Sequence, residues 1–420
     1  MCFLPEYDRL KKQESYVSVR NELRSKRMCD MQTNYENGIL TLIPPEHVDA
    51  VNATDFQTEV MEQLEKCQPD AVVLDCDRVN YMSSAGLRVV LRVKQKVDRT
   101  SLINVRPDLY DILDVTGFTE MMEVQKVYRM ISLQDCEIIG QGANGKVYRL
   151  DRENIIKVYL KDALPAIQRE RELARAAFVL GVPSAIPYDV VQIKEGGYGT
   201  VYELLNAKTF IQVLKDGEKS MDELAEMSTS LLKLIHSRIV KQSFVPSIRD
   251  TALKWTETAK AGLPEEVYER LYAMIEAVPD DRHMIHGDYH YRNIMYQDGE
   301  TLLIDMDKLS HGHPVFELAA MYNAYCGFGT VDPAAGEQFL GIPNETAALL
   351  WRGQLERYLD TKSEQAVREV EEKAAVVGHI RLLQHYIRRN GLDTEEGRRK
   401  IEISRTVLEE LLSRVNTLEF

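Results

Sequence analysis

Two carboxylates and an amide in residues 286–307 have the types and spacing that phosphoryl transfer needs. The segment reads HGDYHYRNIMYQDGETLLIDMD, with Asp288 in a polar turn, Asn293 in the same loop and Asp305 after the β-rich run 301–304. Two strands linked by the QDGE turn would bring these groups together. One acid can then deprotonate a hydroxyl nucleophile, while Asn293 and Asp305 supply the hard oxygen ligands that Mg²⁺ requires. The order Asp, Asn, Asp therefore predicts a kinase-type site.

Two other interpretations of this segment stay open. HGD can be an ordinary turn, with Asp305 and Asp307 as solvated acids at a strand end. Alternatively, His286 and His290 lie four residues apart and could be zinc ligands on a helix face. The intervening Gly-Asp pair disfavours a helix, and neither histidine has a glutamate placed as in HExxH.

Three glycines precede this segment in the run 137–160, EIIGQGANGKVYRLDRENIIKVYL. Gly140, Gly142 and Gly145 have the GxGxxG spacing of either a dinucleotide fold or a kinase phosphate loop. A dinucleotide site needs a helix directly after the glycines. Here two β-branched or aromatic-rich runs, separated by the polar turn DREN, predict a hairpin instead. A glycine-rich hairpin can cover phosphates with its backbone amides.

Lys157 lies among apolar residues in the second of these strands, where an ammonium group is costly without a partner. Glu170, in the helical stretch QRERELARAAFVLG, is the expected partner, and Glu172 is the second choice. The alternative for either acid is a solvated helix face. The run 200–210 predicts a buried strand and a connector, where a kinase presents backbone groups to adenine near Glu203 and Leu205.

Composition narrows the class of protein. The 420 residues include six cysteines without a CxxC pair, a pattern that suggests neither a disulfide framework nor a zinc ribbon and that suits a reducing compartment. No apolar run reaches the ~18 to 20 residues that span a bilayer, and the opening lacks a signal-peptide core, so we expect a cytoplasmic protein without a membrane partner. The net charge of −14 argues against nucleic-acid binding and would weakly suit a cationic substrate.

Residues 31–132 alternate strands and helices, which predicts a small α/β sandwich. Thr54 and Gln57 have capping-box spacing at the start of one helix. Ser83 and Ser84 precede another helix, where either hydroxyl can cap the first turn and where a phosphate would be favoured by the free N–H groups. Residues 119–135 are expected to link this region to the next.

The ordered series GQGANG, Lys157, LIHS, HGDYHYRN, LLIDMD and PVFELA resembles the aminoglycoside phosphotransferase and choline kinase branch of the protein-kinase-like fold. The resemblance implies that Asp288 is the catalytic base, that Asn293 and Asp305 hold magnesium, and that Lys157 with Glu170 positions the phosphates of ATP. His290 replaces the lysine of typical protein-kinase loops, which points to small-molecule acceptors. Glu317 stands where this branch usually has Asp, in a position that braces the loop.

The run 71–91, AVVLDCDRVNYMSSAGLRVVL, resembles the STAS domain of bacterial anti-sigma-factor antagonists. In that family the first of two serines in the turn is a regulatory phosphoacceptor, and Ser84 is the matching position. The residues on either side depart from the family pattern, with Ser83 for Asp and Ala85 for Ser. The resemblance implies a binding or regulatory module with no catalytic constellation of its own.

We therefore expect four regions: an extension over 1–30, a STAS-like α/β sandwich over 31–132, and a two-lobed α+β protein-kinase-like fold with an N-lobe over 133–205 and a mostly helical C-lobe and tail over 206–420. The expected function is ATP- and Mg²⁺-dependent phosphorylation of a hydroxyl on a small molecule. The alternative is a signalling regulator, in which the kinase-like unit senses nucleotide or phosphorylates a STAS serine and the STAS surface binds a protein. An inactive pseudokinase is disfavoured because each expected catalytic group is present.

Overall fold

The computed structural model describes residues 30–141, 145–159, 164–241 and 243–420. The expected extension up to residue 29 and the glycine Gly142 lie outside the described residues. The chain divides into two compact units between Arg129 and Met130.

The first unit is built on a five-stranded sheet of order β1-β2-β4-β6-β7. The first two strands are antiparallel, and the rest of the sheet is parallel. The strands are β1 (Gln32–Glu36), β2 (Ile39–Ile43), β3 (His47–Val48), β4 (Ala71–Asp75), β5 (Tyr81–Met82), β6 (Thr100–Val105) and β7 (Glu123–Lys126), with β3 pairing β5 separately. The helices are α1 (Ala53–Cys67), α2 (Ser84–Lys96), α3 (Pro107–Val115) and α4 (Phe118–Met121).

Apolar periodicity explains the core of this α/β unit. Phe56, Val60 and Leu64 recur at helical spacing on α1 and are buried in one cluster with the strand residues. The short apolar strand β4 is buried between its parallel neighbours β2 and β6, as a central parallel strand should be. The expected α/β sandwich is therefore present.

Two local predictions for this unit are wrong. The capping box of Thr54 and Gln57 does not form, because α1 already begins at Ala53 with Asn52 as its N-cap residue. The segment predicted as a linker begins with α4 and then adds strand β7 beside β6, so it completes the first sheet. Its later part forms β8 (Met130–Ile131), which pairs in parallel with a strand of the second unit.

The second unit begins with a six-stranded sheet of order β8-β12-β13-β11-β10-β9. The remaining strands of this sheet are β9 (Ile138–Gln141), β10 (Gly145–Arg149), β11 (Asn154–Tyr159), β12 (Pro187–Ile193) and β13 (Tyr198–Glu203), and helix α5 (Leu164–Val179) lies between β11 and β12 in the chain. Strands β10 and β11 form the antiparallel hairpin that the DREN turn predicted. We call this sheet with α5 the sheet lobe.

The rest of the second unit is mostly helical and contains its largest core cluster. Its helices are α6 (Phe210–Lys215), α7 (Met221–His236), α8 (Ile248–Ala259), α9 (Glu265–Ala277), α10 (Val315–Tyr322), α11 (Phe328–Val331), α12 (Pro333–Leu340), α13 (Asn344–Tyr358), α14 (Glu364–Arg388) and α15 (Glu395–Leu412), with a 3₁₀ turn at Lys260–Gly262 and a π-helical segment at Asn323–Gly327. Short strands are β14 (Lys208–Thr209), β15 (Met284–Ile285), β16 (Ile294–Gln297), β17 (Glu300–Leu303) and β18 (Ser310–His311). This helical lobe matches the kinase-like arrangement expected from the sequence.

Among the described residues, no helix combines the length and the apolar character that crossing a bilayer would require.

Candidate active site

The described glycines of the GxGxxG run flank the connection between two strands of the sheet lobe. Gly140 lies in β9 and Gly145 opens β10, and Lys146 pairs with Gln141 across the two strands. Only Gly145 is demanded by packing, because a Cβ there would overlap the carbonyl oxygen of Val158 on β11. Gly140 and Gly145 therefore belong to the β9–β10 pair of strands, which precedes the DREN turn in the chain.

Lys157, on β11, is held between two carboxylates. Its Nζ lies 2.7 Å from Glu170 Oε1 and 2.8 Å from Asp305 Oδ1. The Lys157 and Glu170 side chains are only 16% and 8% exposed, so the pair is shielded from water. Burial acts to lower the pKa of Lys157, but Asp305 and Glu170 raise it well above its usual value and keep the ammonium charged. Of the two expected partners, Glu170 is the one that holds this lysine.

The loop before Asp288 is braced by a buried carboxylate from α10. Glu317 accepts hydrogen bonds from the backbone N–H of His286 at 2.5 Å and of Gly287 at 3.0 Å. Gly287 has a φ of +80°, and a Cβ there would lie 2.6 Å from the Lys308 carbonyl oxygen, so only glycine fits. These contacts fix the turn that presents Asp288.

Asn293 connects the loop to the strand pair that follows. Its Nδ2 donates to the Asp288 carbonyl oxygen at 3.0 Å, and its own carbonyl accepts from Ile304 N–H at 3.1 Å. Strands β16 and β17 are antiparallel, as the QDGE turn predicted. They deliver Asp305 in a left-handed backbone conformation with φ of +67°, which is uncommon for a residue other than glycine and concentrates at functional sites.

Asp288 is paired with a lysine that follows Asp305 closely in the chain. Lys308 Nζ lies 2.5 Å from Asp288 Oδ2, and His290 Nε2 lies 3.7 Å from Oδ1. Burial acts to raise the pKa of Asp288, but Lys308 above all holds it well below its usual value. Burial lowers the pKa of His290 to about 4, so this ring is neutral at neutral pH and adds little positive charge.

The oxygen atoms of Asn293 and Asp305 suit a magnesium ion that arrives with phosphates. Asn293 Oδ1 and Asp305 Oδ2 accept no hydrogen bond from any described residue. Asp307 Oδ1 is buried with no hydrogen-bond partner in the described part of the chain, and burial raises the pKa of this carboxyl to about 6. An unpaired buried carboxylate oxygen beside Asp305 is one that a nearby cation would stabilise.

A closed metal cage of protein ligands is a poorer fit. The described residues contain no group of three or more His, Cys, Asp or Glu placed to hold a metal. His286 is a poor zinc ligand because both of its ring nitrogens are already engaged. Its Nδ1 accepts from Asp288 N–H at 3.2 Å, and its Nε2 lies 3.3 Å from the Ile304 carbonyl oxygen. Magnesium instead commonly uses one or two side-chain oxygens and completes its shell with phosphates and water.

Glu203 and Leu205 lie where the sheet lobe passes into the helical lobe. Glu203 ends β13, and its carboxylate accepts from Ile186 N–H at 2.8 Å. Leu205 makes no backbone hydrogen bond with a described residue, so its peptide group is available to a ligand. The carboxylate of Glu203 and its N–H, which donates to the Ile186 carbonyl oxygen at 3.3 Å, thus fix the chain locally, and the backbone of Leu205 remains the part that could bind a base.

Three side chains at this site were not foreseen. Lys308 follows the LLIDMD run directly, and its position there was a usable signal. Arg381, on α14, donates from Nη1 to the Gly287 carbonyl at 3.0 Å. The hydroxyl of Tyr325, in the π-helical segment, accepts from Tyr291 N–H at 3.1 Å. Neither of the last two has a local sequence signal.

Ser84 belongs to the first unit. Ser83 is the N-cap residue of α2, and its Oγ accepts from Gly86 N–H at 3.5 Å. Ser84 is the first residue of that helix, is exposed, and makes no hydrogen bond through its side chain with a described residue. The capping role therefore falls to Ser83, which leaves the Ser84 hydroxyl open.

Comparisons with known proteins agree with this division. Residues 30–131 match the family model of the STAS domain, and residues 135–351 match that of the phosphotransferase enzyme family. Over 81 residues the chain is 33% identical to the anti-sigma factor antagonist BtrV of Bordetella bronchiseptica, covering 18% of this chain and 69% of that protein.

Solved structures of aminoglycoside phosphotransferases are also similar. The ADP-bound enzyme APH(2'')-Ib aligns with 18% identity and a TM-score of 0.45 over 65% of this chain and 94% of that one. The streptomycin-ATP complex of APH(2'')-IIa aligns with 18% identity and a TM-score of 0.43 over 76% of this chain and 99% of that one. On the strength of the family matches, the chain belongs to the phosphotransferase enzyme family and carries an N-terminal STAS domain.

Proposed function

We propose that the protein is an ATP- and Mg²⁺-dependent phosphotransferase that transfers the γ-phosphate to a hydroxyl of a small molecule. One observation carries the proposal: Lys157, on the sheet lobe, bonds to Asp305 at 2.8 Å, while Asn293 ties the segment of Asp305 to Asp288. Side chains from distant parts of the chain thus lie together in the arrangement that phosphoryl transfer uses. The proposal includes ATP as the phosphate donor, Mg²⁺ as the metal ion and a hydroxyl group as the acceptor.

In this proposal the sheet lobe holds the nucleotide. The backbone of the β9–β10 hairpin, with Gly140 and Gly145, covers the phosphates. Lys157, oriented by Glu170, binds phosphate oxygens. The backbone at Glu203 and Leu205 binds adenine. Asn293 and Asp305 would hold Mg²⁺, which would neutralise negative charge on the phosphates.

Asp288 acts on the acceptor. It orients the hydroxyl and takes its proton as the hydroxyl oxygen bonds to the γ-phosphorus. The bond from that phosphorus to the oxygen bridging to ADP breaks, and its electron pair stays with ADP. Because the transition state is loose, positioning and charge neutralisation supply most of the rate acceleration.

The STAS domain is proposed to bind a protein partner, with Ser84 as a candidate phosphoacceptor. A phosphate on this exposed hydroxyl would lie at the N-terminus of α2, where free N–H groups and the helix dipole favour negative charge. The open Ser84 also favours the second candidate function, a regulator in which the kinase-like unit phosphorylates a STAS serine. Label from [γ-³²P]ATP on Ser84 would support the regulator, and label only on added hydroxyl compounds would support the small-molecule enzyme.

The test of the enzyme proposal is Asp288→Ala. We expect turnover to fall by about 10²- to 10⁴-fold, since general-base catalysis is lost, while ATP still binds. The exposed acid Glu276 on α9 provides a matched control, and Glu276→Ala should leave turnover unchanged. Turnover that survives Asp288→Ala intact would remove Asp288 from the mechanism.

A further inference from the structure

Two positive side chains, Lys308 and Arg381, lie beside Asp288 on the helical lobe, and a third, Arg389, lies near His385. Lys308 pairs directly with Asp288, and Arg381 reaches the same turn from α14 by donating to the Gly287 carbonyl. Arg389 follows at the end of the same helix and is exposed. We call Lys308, Arg381 and Arg389 the basic cluster.

Arg381 is held firmly in place. Its guanidinium lies 5.2 Å from the ring centroid of Trp255 on α8, and Nη1 is 3.0 Å from the Gly287 carbonyl oxygen. Stacking and hydrogen bonding together fix a planar cation, which then presents its remaining N–H groups in a defined direction. Such a group is well prepared to bind a carboxylate or phosphate.

The two arginines of the cluster have no acidic partner in direct contact among the described residues, whereas Lys308 lies within electrostatic range of Asp288, Asp305 and Asp307. Neither Arg381 nor Arg389 makes a salt bridge with any described residue. Lys308 has Asp288 as its partner. The local field is felt by His385 on the same helix: burial first, then Arg389, Arg381 and Lys308, lower its pKa to about 4.

The charge beside Asp288 is mixed, although the chain as a whole is acidic. The net charge of −14 weakly suggested a cationic substrate, but two cations, Lys308 and Arg381, lie beside Asp288 together with the acids of the same site. Charges in direct range of a bound substrate dominate over distant ones, which salt screens beyond about 8 Å. An ammonium group placed against Lys308 and Arg381 would be repelled.

We propose, building on the phosphotransferase function above, that the acceptor is a small hydroxyl compound that also carries a carboxylate or phosphate, bound by Lys308 and Arg381 beside Asp288. The chemical step is unchanged: the hydroxyl oxygen bonds to the γ-phosphorus, ADP leaves with the electron pair of the broken bond, and Asp288 receives the proton. The anion of the acceptor competes with Asp288 for the Lys308 ammonium, so binding of the acceptor frees the carboxylate to face the hydroxyl.

The test uses the full-length protein, [γ-³²P]ATP and Mg²⁺ with four separate pools of compounds. The pools are hydroxy acids, sugar phosphates, neutral sugars and alcohols, and aminoglycosides. We expect label in the hydroxy acid or sugar phosphate pool alone. Label confined to neutral sugars or aminoglycosides would overturn the anionic acceptor and leave the phosphotransferase standing. No transfer to any pool would overturn both.

Variants then locate the binding groups, using the labelled anionic compound. Lys308→Met and Arg381→Met should each raise KM for that compound by about 10- to 100-fold, the effect of losing a hydrogen bond to a charged group. The Kd for ATP should stay unchanged in both. Lys362→Met, at an exposed lysine between α13 and α14, is the matched control.

Lys308 is exposed, so its variant should fold even if Arg381→Met does not. Equal KM values in Lys308→Met and the wild type, or a KM that does not rise with salt, would contradict binding of an anion by this cluster.

Discussion

Glu317 should set both the stability of the helical lobe and the position of Asp288. The side chain is fully buried, and it accepts the backbone N–H groups of His286 and Gly287, which lie directly before the proposed base. Glu317→Gln keeps one acceptor oxygen and turns an NH₂ group toward the other N–H. Glu317→Ala removes both acceptors. The two variants therefore leave one and two backbone N–H groups unpaired, respectively.

The expected size follows from the number of N–H groups left unpaired. A buried unsatisfied donor costs about 1–3 kcal/mol, so Glu317→Gln should lower the free energy of unfolding by that amount. Glu317→Ala leaves two donors unpaired, so the free energy of unfolding should fall by about twice as much. A displacement of Asp288 by about 1 Å would reduce turnover by about 10²-fold.

Urea unfolding measures the first effect, and turnover measured beside the Kd for ATP measures the second. Glu317→Asp is the conservative control, because it keeps the charge and shortens the side chain. We expect turnover to fall in the Gln and Ala variants while the Kd for ATP stays nearly constant. An Ala variant as stable as the wild type, or one that is destabilised with normal turnover, would refute the bracing role.

The pH dependence gives a second readout of the same residue. Burial acts to raise the pKa of the Glu317 carboxyl, but His236, whose Nε2 lies 3.9 Å from Oε2, and His286 hold it below its usual value. A lowered pKa means that the carboxylate contributes its full stability above the unfolded-state pKa and loses it as pH falls through the folded-state pKa. Glu317→Gln should remove this part of the acid dependence.

Other substitutions test separate elements. His379 is buried with neither ring nitrogen paired among the described residues, and burial lowers its pKa to about 4. Because the unfolded state then binds more protons, the free energy of unfolding should fall as the pH drops below 6.5. The His379→Leu variant should therefore recover about 3 kcal/mol near pH 4 in urea unfolding. Gly287→Ala should lower the free energy of unfolding by about 1–3 kcal/mol and abolish turnover. Gly299→Ala, at a φ of +94° with no atom within 4 Å, should cost only its backbone strain of about 1 kcal/mol. Equal losses of stability in the two variants would show that the close approach of Gly287 to the Lys308 carbonyl does not matter. Ser83→Ala should lower the melting temperature through loss of a cap worth about 1 kcal/mol, and Ser84→Ala should not; the reverse order would exchange their roles.

The sequence revealed the parts of the fold that depend on local pattern. The DREN and QDGE turns predicted hairpins that form, because short polar turns between β-branched runs leave few alternatives. The contact of Lys157 with Glu170 could be anticipated, since a lysine within an apolar strand needs a partner and the next helix offers few acids.

Contacts between distant segments escaped prediction. Arg381 reaches Gly287 from a helix far along the chain, and periodicity on α14 says nothing about which turn it meets. The Thr54 and Gln57 spacing was misleading because the helix could begin earlier, at Ala53. The segment ending in β7 looked like a linker because an edge strand of four residues carries little apolar pattern.

The most direct test of the proposed ATP site compares nucleotide binding by Asp305→Ala and Asp288→Ala in the presence of Mg²⁺. Both residues are acids near Lys308, but only Asp305 is proposed to hold the metal ion and to contact Lys157. Titration calorimetry with ATP should give near-normal affinity for Asp288→Ala and an affinity weakened by about 10-fold or more for Asp305→Ala, with the difference lost when Mg²⁺ is chelated. Equal ATP affinities in the two variants would contradict the site.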